Sequence, residues 1–145
     1  MKRREFITLS AVGSAAGIIA PKEVLGGIAA CPNSNKMAGG VYYTKDAPGR
    51  WSKKVKGHLP NIETSKNAGD TLVNVVTNHE MAGYAHYINK HIVLDDNFKF
   101  ITEKLFDPLQ HKQPVSEHNL GNYSGRIHVL SVCNTHDTWL NLADV

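Results

Sequence analysis

The chain has 145 residues, of which 41% are hydrophobic and 20% are charged, so its length and composition suit one globular domain with its own core. The formal net charge is +3, but residues 1–30 hold four Lys/Arg and two Glu, which leaves 12 basic against 11 acidic residues in the remainder. This balance excludes a general nucleic-acid-binding protein, because such a protein needs a clustered basic face.

The first 30 residues are predicted to be an export signal. A charged start is followed by an apolar stretch from Phe6 to Ala20 and then by small residues. The stretch is too short and too rich in Gly and Ser for a membrane span. Arg3 and Arg4 ahead of Phe6 resemble the twin-arginine signal, which exports folded proteins; an ordinary secretion signal is the alternative. We therefore expect a periplasmic protein.

The sequence leaves three roles open for Cys31, the first of its two cysteines. The residues IAAC at 28–31 resemble a lipoprotein cleavage box, in which Cys31 would be a lipid anchor. Against this role, Lys22 and Glu23 separate the box from the apolar stretch. An oxidising periplasm would also permit a disulfide with Cys133. In the third role Cys31 is part of a processed or flexible lead-in.

Short β-type runs separated by turn residues fill the rest of the chain. A lead-in at 31–47, rich in Gly, Asn and Pro, is predicted to be extended, and the domain proper is predicted at 48–145. No segment keeps a helical period, and several strands at this spacing predict an all-β antiparallel sandwich or barrel. The predicted strands are TLVNVVT (71–77), HYINKHIVL (86–94), FKFITEKLF (98–106) and GRIHVLSVC (125–133).

The segment VCNTHDTW at 132–139 places a cysteine and a histidine three residues apart at the end of the last predicted strand. Alternation along that strand puts Ile127, Val129 and Cys133 on one face. A turn at NTH would then bring the sulfur of Cys133 and the ring of His136 to one point. A buried free cysteine beside a surface histidine is the alternative for so short a pattern.

Three more of the eight histidines lie at predicted strand ends or in turns. His79 follows the run 71–77 and His86 opens the run 86–94, so a hairpin would place both rings at the same end of a sheet. His58 precedes a proline that holds the chain extended, where a ring is aimed at little entropic cost. The remaining four are expected to be surface or structural residues: His91, His111, His118 and His128.

Four imidazoles and one thiolate form a donor set with a distinct chemistry. The set exceeds the four ligands of a structural zinc site and suits a five-coordinate transition metal with one open position. Imidazole accommodates ferrous iron, and a single thiolate adds electron density to the metal. The sequence therefore predicts a mononuclear metal site built from His58, His79, His86, Cys133 and His136.

Together, the motifs GRW, GHLPNIE, HEMAGYAHYI and VCNTHDTW resemble the iron-binding domain of the superoxide reductases, the desulfoferrodoxin and neelaredoxin group. The resemblance covers about Pro48 to Trp139. It implies an immunoglobulin-like β-sandwich with Fe²⁺/Fe³⁺ held by His58, His79, His86 and His136 in a plane and by Cys133 on the axis.

The activity that the resemblance implies is the one-electron reduction of superoxide to hydrogen peroxide, in defence against oxidative stress. An external electron donor, such as a small redox protein, would return the iron to the ferrous state. Association into a homo-oligomer is a further expectation. The alternative is an exported β-sandwich that binds iron or copper for electron transfer without catalysis.

The chain departs from the family pattern at three places. His79 and His86 are seven residues apart, where the family usually has six, which implies one inserted residue in EMAGYA. The family commonly has Glu-Lys directly before the first histidine, and that lysine attracts superoxide; here the two positions are Lys56 and Gly57. We predict that Lys56 takes this catalytic role. The N-terminal set of four cysteines that holds a second iron centre in desulfoferrodoxins is absent from the sequence.

Overall fold

The computed structural model describes residues 34–145, so the predicted export signal and Cys31 lie outside the described residues. This part of the chain begins with helix α1 (Ser34–Met37), followed by a 3-10 helix (Gly49–Lys54) and the single-turn helix α2 (Val55–His58). A second 3-10 helix covers Gly83–Ala85. None of these described helices is long and apolar enough to cross a membrane.

Seven strands form two antiparallel sheets, so the predicted all-β sandwich is confirmed. One sheet has the order β1-β2-β5 and the other the order β4-β3-β6-β7. Two facing antiparallel sheets of three and four strands are the architecture of immunoglobulin-like sandwiches. The strands are β1 (Asn61–Asn67), β2 (Asp70–Val76), β3 (Ile88–Leu94), β4 (Phe100–Leu105), β5 (Val115–Asn119), β6 (Arg126–Cys133) and β7 (Thr138–Asp144).

The core between the sheets consists mainly of β-branched side chains. Buried and partly exposed residues alternate along β2, which points Val73 and Val75 inward. They pack against Val93 of β3 and against Ile127 and Val129 of β6, all fully buried. The inward face predicted for the last strand is therefore correct, and it fixes the direction in which Cys133 points at the end of that strand.

A buried polar network also joins the two sheets. The Thr77 hydroxyl donates its proton to Ser131 Oγ at 2.9 Å. In the second contact of Thr77 Oγ1, at 2.9 Å from His91 Nε2, the donor is therefore the His91 ring. The Nδ1 atom of His91 then accepts from the Ser116 hydroxyl at 2.8 Å. Burial lowers the pKa of His91 to about 3, so the ring is neutral. His91 is thus a structural residue, as predicted.

Four of the seven strands correspond to predicted runs, and one predicted connection is wrong. We expected a hairpin between the strands that flank His79 and His86, but β2 and β3 belong to different sheets. The connection therefore crosses from one sheet to the other. Both histidines still lie at one end of the sandwich, because the crossing is short.

Candidate metal centre

Five elements bring the predicted ligands to one end of the sandwich. His58 is the last residue of α2, His79 follows β2, and His86 lies just before β3. Cys133 ends β6, and His136 lies in the turn between β6 and β7. One donor atom from each of the five side chains lies within 4.8 Å of all the others. The structure therefore brings together all five of these residues and none of the other four histidines.

His58 reaches the cluster from a different local structure than predicted. We expected an extended segment ahead of the proline, but His58 has helical conformation and the extended residue is Leu59. The helical turn allows the ring to contact the backbone of its own helix, with Nδ1 lying 3.0 Å from the Lys54 carbonyl oxygen. Because a carbonyl only accepts, Nδ1 carries the proton, and the lone pair of the neutral ring is on Nε2.

The spacing of the four ring nitrogens fits a single metal ion. His136 Nδ1 lies 3.0 Å from His58 Nε2 and 2.9 Å from His86 Nε2, and His86 Nε2 lies 3.0 Å from His79 Nε2. A square with edges of that length has its centre about 2.1 Å from each corner, and protein metal–nitrogen bonds are about 2.0–2.1 Å long. Ring nitrogens that converge at these distances could hold one cation between them.

Burial keeps the imidazoles in the neutral form that binds metals. It lowers the pKa of His58 and of His79 to about 4, and the neighbouring rings add to the effect. Burial, followed by the charge of Lys54, also lowers the pKa of His136. At neutral pH these three rings are therefore unprotonated, and no proton has to leave them when a metal binds.

The Cys133 sulfur lies beside the nitrogen cluster and accepts two backbone hydrogen bonds. Sγ is 3.7 Å from His136 Nδ1 and 3.8 Å from His79 Nε2. The backbone N–H groups of Thr135 and His136 point at it from 3.5 and 3.4 Å. Donors of this kind stabilise a thiolate and reduce the charge that it passes to a metal. The thiol is buried and free in the structure.

Asn134, the residue after Cys133, bonds mainly to the segment that leads to His86. Its side-chain amide donates to the carbonyl oxygens of Tyr84 at 3.1 Å and Ala85 at 3.3 Å, and its Oδ1 accepts from the Tyr87 N–H at 3.0 Å. Asn134 therefore ties the segment that carries His86 to the turn that carries the other two ligands.

Two tryptophans fix His136, and sequence reasoning missed one of them. The Trp139 indole donates to the His136 carbonyl oxygen at 2.9 Å. The Trp51 ring packs against the His136 ring with 4.6 Å between centroids and an interplanar angle of 89°. Trp51 is itself held by the Asp137 carboxylate, which accepts from its indole N–H at 2.8 Å and pairs with Arg50. The motif GRW was the available signal in the sequence, because it opens the 3-10 helix that leads into α2.

We expect that replacing Asp137 with glycine frees the Trp51 ring without unfolding the protein. Asp137 has φ +62°, a conformation that favours glycine, so relief of backbone strain offsets part of the lost hydrogen bonds. The net change in unfolding free energy should stay within about 1 kcal/mol. Fluorescence reports the ring directly, because the other tryptophan, Trp139, is fully buried.

For Asp137→Gly the tryptophan emission should shift to longer wavelength, and bound iron should dissociate faster. Asp137→Asn retains an acceptor for the indole N–H and serves as the matched control. An emission spectrum of Asp137→Gly identical to that of the wild type would show that the carboxylate does not hold Trp51.

A cleft of about 220 Å³ opens on the cluster from one side, and it includes three of the four histidines in its wall. Cys133 and His136 are not part of this wall, so the cleft approaches the nitrogens from a side other than that of the sulfur. Lys56 is exposed and does not line the cleft, whereas Lys53 and Lys54 do. The lining residues are Lys53, Lys54, Gly57, His58, Asn78, His79, Glu80 and His86.

Solved superoxide reductases share this fold. The neelaredoxin-type superoxide reductase of Ignicoccus hospitalis is 22% identical, with a TM-score of 0.60, and the match covers 72% of this chain and 94% of that chain. The superoxide reductase of Giardia intestinalis is 20% identical, with a TM-score of 0.50 and coverage of 62% and 99%. A superoxide reductase solved in its oxidized state is 20% identical, with a TM-score of 0.51 and coverage of 61% and 87%.

At these identities the likeness shows a common β-sandwich fold. Neither a protein-family model nor a curated protein sequence matches the chain. The five-residue cluster is a finding of this structure alone and does not depend on the likeness.

Proposed function

We propose that this protein is an exported superoxide reductase that converts superoxide to hydrogen peroxide at a mononuclear non-haem iron site. The observation that carries the proposal is the convergence of four imidazole nitrogens and one thiol sulfur within 4.8 Å, beside an open cleft. The names of the solved proteins that share the fold support the same activity.

The donor set fits iron, with His58, His79, His86, Cys133 and His136 as the ligands. When bound, iron supplies the electron that takes superoxide, with two protons, to hydrogen peroxide, and an external donor replaces that electron. With these five side chains holding the iron, a small anion would reach it through the cleft. The chain's own part is to hold the ligands, to limit the charge of the thiolate through two backbone N–H groups, and to guide the anion into the cleft.

Stoichiometry tests the proposal. A reductase forms one hydrogen peroxide for each superoxide consumed, whereas dismutation forms one for every two and releases dioxygen. We expect the iron-loaded protein with a reductant to give the one-to-one ratio. Iron-loaded protein that changes colour with reductant but does not consume superoxide would instead support the alternative of a non-catalytic iron- or copper-binding protein.

Lys54 is our candidate for attracting superoxide, in place of the predicted Lys56. It lines the cleft, and its charge contributes to the lowered pKa of both His79 and His136, so the ammonium group is close to the cluster. A single positive charge at the mouth of a cleft raises the local concentration of an anion and accelerates its association.

We expect Lys54→Gln to lower the second-order rate constant for superoxide by about 10-fold and to weaken its dependence on ionic strength. Lys56→Gln should have a smaller effect, since Lys56 is exposed outside the cleft wall. Pulse-radiolysis kinetics of the two variants at several salt concentrations measure this difference. A larger loss in Lys56→Gln would return the role to Lys56.

The periplasmic location is part of the proposal and rests on the sequence of residues 1–30. If folded export is used, replacing Arg3 and Arg4 with lysine should leave the protein in the cytoplasm. Immunoblots of periplasmic and cytoplasmic fractions give the result. Unchanged export of the double variant would show that the arginine pair is not recognised as a twin-arginine signal.

A further inference from the structure

The connection between β2 and β3, residues 77–87, crosses from one sheet to the other and carries two candidate ligands, His79 and His86. It starts at Thr77, which is buried. The backbone N–H of Thr77 donates to the Pro114 carbonyl oxygen at 3.1 Å, and the Thr77 carbonyl oxygen accepts from the His79 N–H at 2.7 Å. The second bond closes a three-residue turn, which fixes the direction in which the chain enters the metal centre.

The Thr77 hydroxyl joins the start of this connection to the opposite sheet. Its oxygen lies 2.9 Å from Nε2 of His91 on β3 and 2.9 Å from Oγ of Ser131 on β6, and both partners are buried. Ser131 is two residues before Cys133, so the two side chains lie on the same face of β6. One hydroxyl therefore links the backbone ahead of His79 to the strand that ends at Cys133.

The other side chains of this buried network give all of its hydrogen bonds the same direction. The Ser116 hydroxyl donates to His91 Nδ1 at 2.8 Å, so in the contact of 2.9 Å between Ser116 Oγ and His118 Nε2 the donor is the His118 ring. Each member then donates to the next, in the order His118, Ser116, His91, Thr77 and Ser131. Hydrogen bonds aligned in this way polarise and strengthen one another. The network therefore holds the Thr77 hydroxyl more firmly than an isolated pair of bonds would.

The His79 ring depends on such an anchor because its own hydrogen bonding is incomplete. The second ring nitrogen of a metal-binding histidine almost always donates to an acceptor that fixes the ring orientation. His58 has such a partner, the Lys54 carbonyl oxygen, at 3.0 Å from Nδ1. His79 Nδ1 is buried and has no hydrogen-bond partner of normal geometry. An interaction with the backbone of Glu80, the next residue, does not tie the ring to another part of the fold.

We propose that Thr77 is a positioning residue of the metal centre, whose buried hydroxyl sets the place of His79 relative to Cys133 by joining the two sheets. This inference rests on the iron site of the proposed function but requires no reaction with superoxide. Thr77→Val keeps the shape of the side chain and removes only the hydroxyl. We expect the affinity for iron to fall about 10-fold or more, as for other groups that hold a ligand in place. The thiolate-to-iron charge-transfer band should shift, because His79 and Cys133 are no longer held at a fixed separation.

Iron content after equilibration with a competing chelator and the visible spectrum, both measured on the iron-loaded full chain, test the proposal. Thr77→Ser is the matched control, because it keeps the hydroxyl and loses only a methyl group, and it should match the wild type in both measurements. Ser116→Ala removes a hydroxyl from the other end of the network and leaves the bond between His91 and Thr77 in place. It should lower the thermal stability without changing iron affinity or colour.

Ser131→Ala provides a second variant in case Thr77→Val does not fold, because it removes the acceptor of the Thr77 hydroxyl and leaves the rest of the network intact. It should also weaken iron binding and shift the band. Wild-type iron affinity and colour in Ser131→Ala and in folded Thr77→Val would overturn the inference and leave the proposed function standing. Equal losses of iron in Ser116→Ala and Ser131→Ala would also overturn it, because a general loss of rigidity would explain both. A wild type that binds no iron would overturn the inference together with the proposed function.

Discussion

Replacement of His86 by alanine is expected to weaken iron binding by at least about 100-fold. Loss of a residue that only supports a ligand already costs about 10- to 100-fold in metal affinity, so loss of a ligand should cost more. His86 Nε2 lies 2.9 Å from His136 Nδ1 and 3.0 Å from His79 Nε2, which makes it a corner of the nitrogen square. An open-sided site has no spare ligand to replace it.

His86 is the best of the four histidines for this experiment because it is only partly buried. Its removal should disturb packing least, so a loss of iron can be separated from a loss of folding. His91 cannot take its place, since both ring nitrogens are bonded inside the core, to Thr77 and Ser116. Despite the seven-residue spacing, His86 therefore stays our candidate ligand.

Iron content after equilibration with a competing chelator measures the effect, and unfolding of the metal-free proteins checks the fold. His111→Ala is the matched control, because His111 bonds to the backbone of Asp107 away from the cluster. It should keep the iron of the wild type. Full iron occupancy in His86→Ala would exclude His86 from the site.

The sequence predicts the five-residue cluster well because each member belongs to a short motif at a strand end or turn. The motif VCNTHDTW places Cys133 at the end of β6 and His136 in the turn that follows, as the structure has them. Such local patterns depend only on the conformation of a few consecutive residues. They do not require knowledge of which strands pair.

The strands that were missed are those whose signal is not local. The edge strand β1 is mostly exposed and polar, and β5 has only five residues. Neither shows the apolar alternation that sequence reasoning depends on. β7 begins two residues after His136, so its first residues, Thr138 and Trp139, also belong to the motif VCNTHDTW. The mistaken hairpin has the same origin, because strand order depends on contacts between distant parts of the chain.

The surroundings of the site were harder to predict than its ligands. Lys54 lines the cleft from the end of the 3-10 helix, just before α2, and no spacing rule distinguishes it from Lys56. The contact between Trp51 and Asp137 spans 86 residues and depends on the positive φ of Asp137. Contacts of this kind depend on tertiary structure. The sequence alone does not predict that the turn after β6 lies beside the 3-10 helix.

Replacement of Cys133 by serine should separate the role of the sulfur from that of the imidazoles. Serine has nearly the same size, and its oxygen can accept the backbone N–H groups of Thr135 and His136 that now point at Sγ from 3.5 and 3.4 Å. The turn that carries His136 should therefore keep its shape. The four imidazoles still converge, so the variant should retain much of its iron.

What the variant should lose is the charge that a thiolate supplies. An oxygen donor is harder and donates less electron density to the metal than sulfur does. Cys133 does not line the cleft, and it would hold the iron together with the four histidines and supply it with thiolate electron density. We expect the thiolate-to-iron charge-transfer band to disappear and turnover to fall at least about 100-fold, equivalent to about 2.7 kcal/mol in the activation barrier.

Visible spectra and superoxide turnover of iron-loaded Cys133→Ser, compared at equal iron content, measure these losses. Cys31→Ser is the matched control, because we expect Cys31 to belong to a processed or flexible lead-in, and Cys133 is free in the structure. It should match the wild type in colour and in rate. If iron-loaded Cys133→Ser kept both the wild-type colour and the wild-type turnover, the sulfur would not be a ligand, and the superoxide reductase mechanism would have to be abandoned.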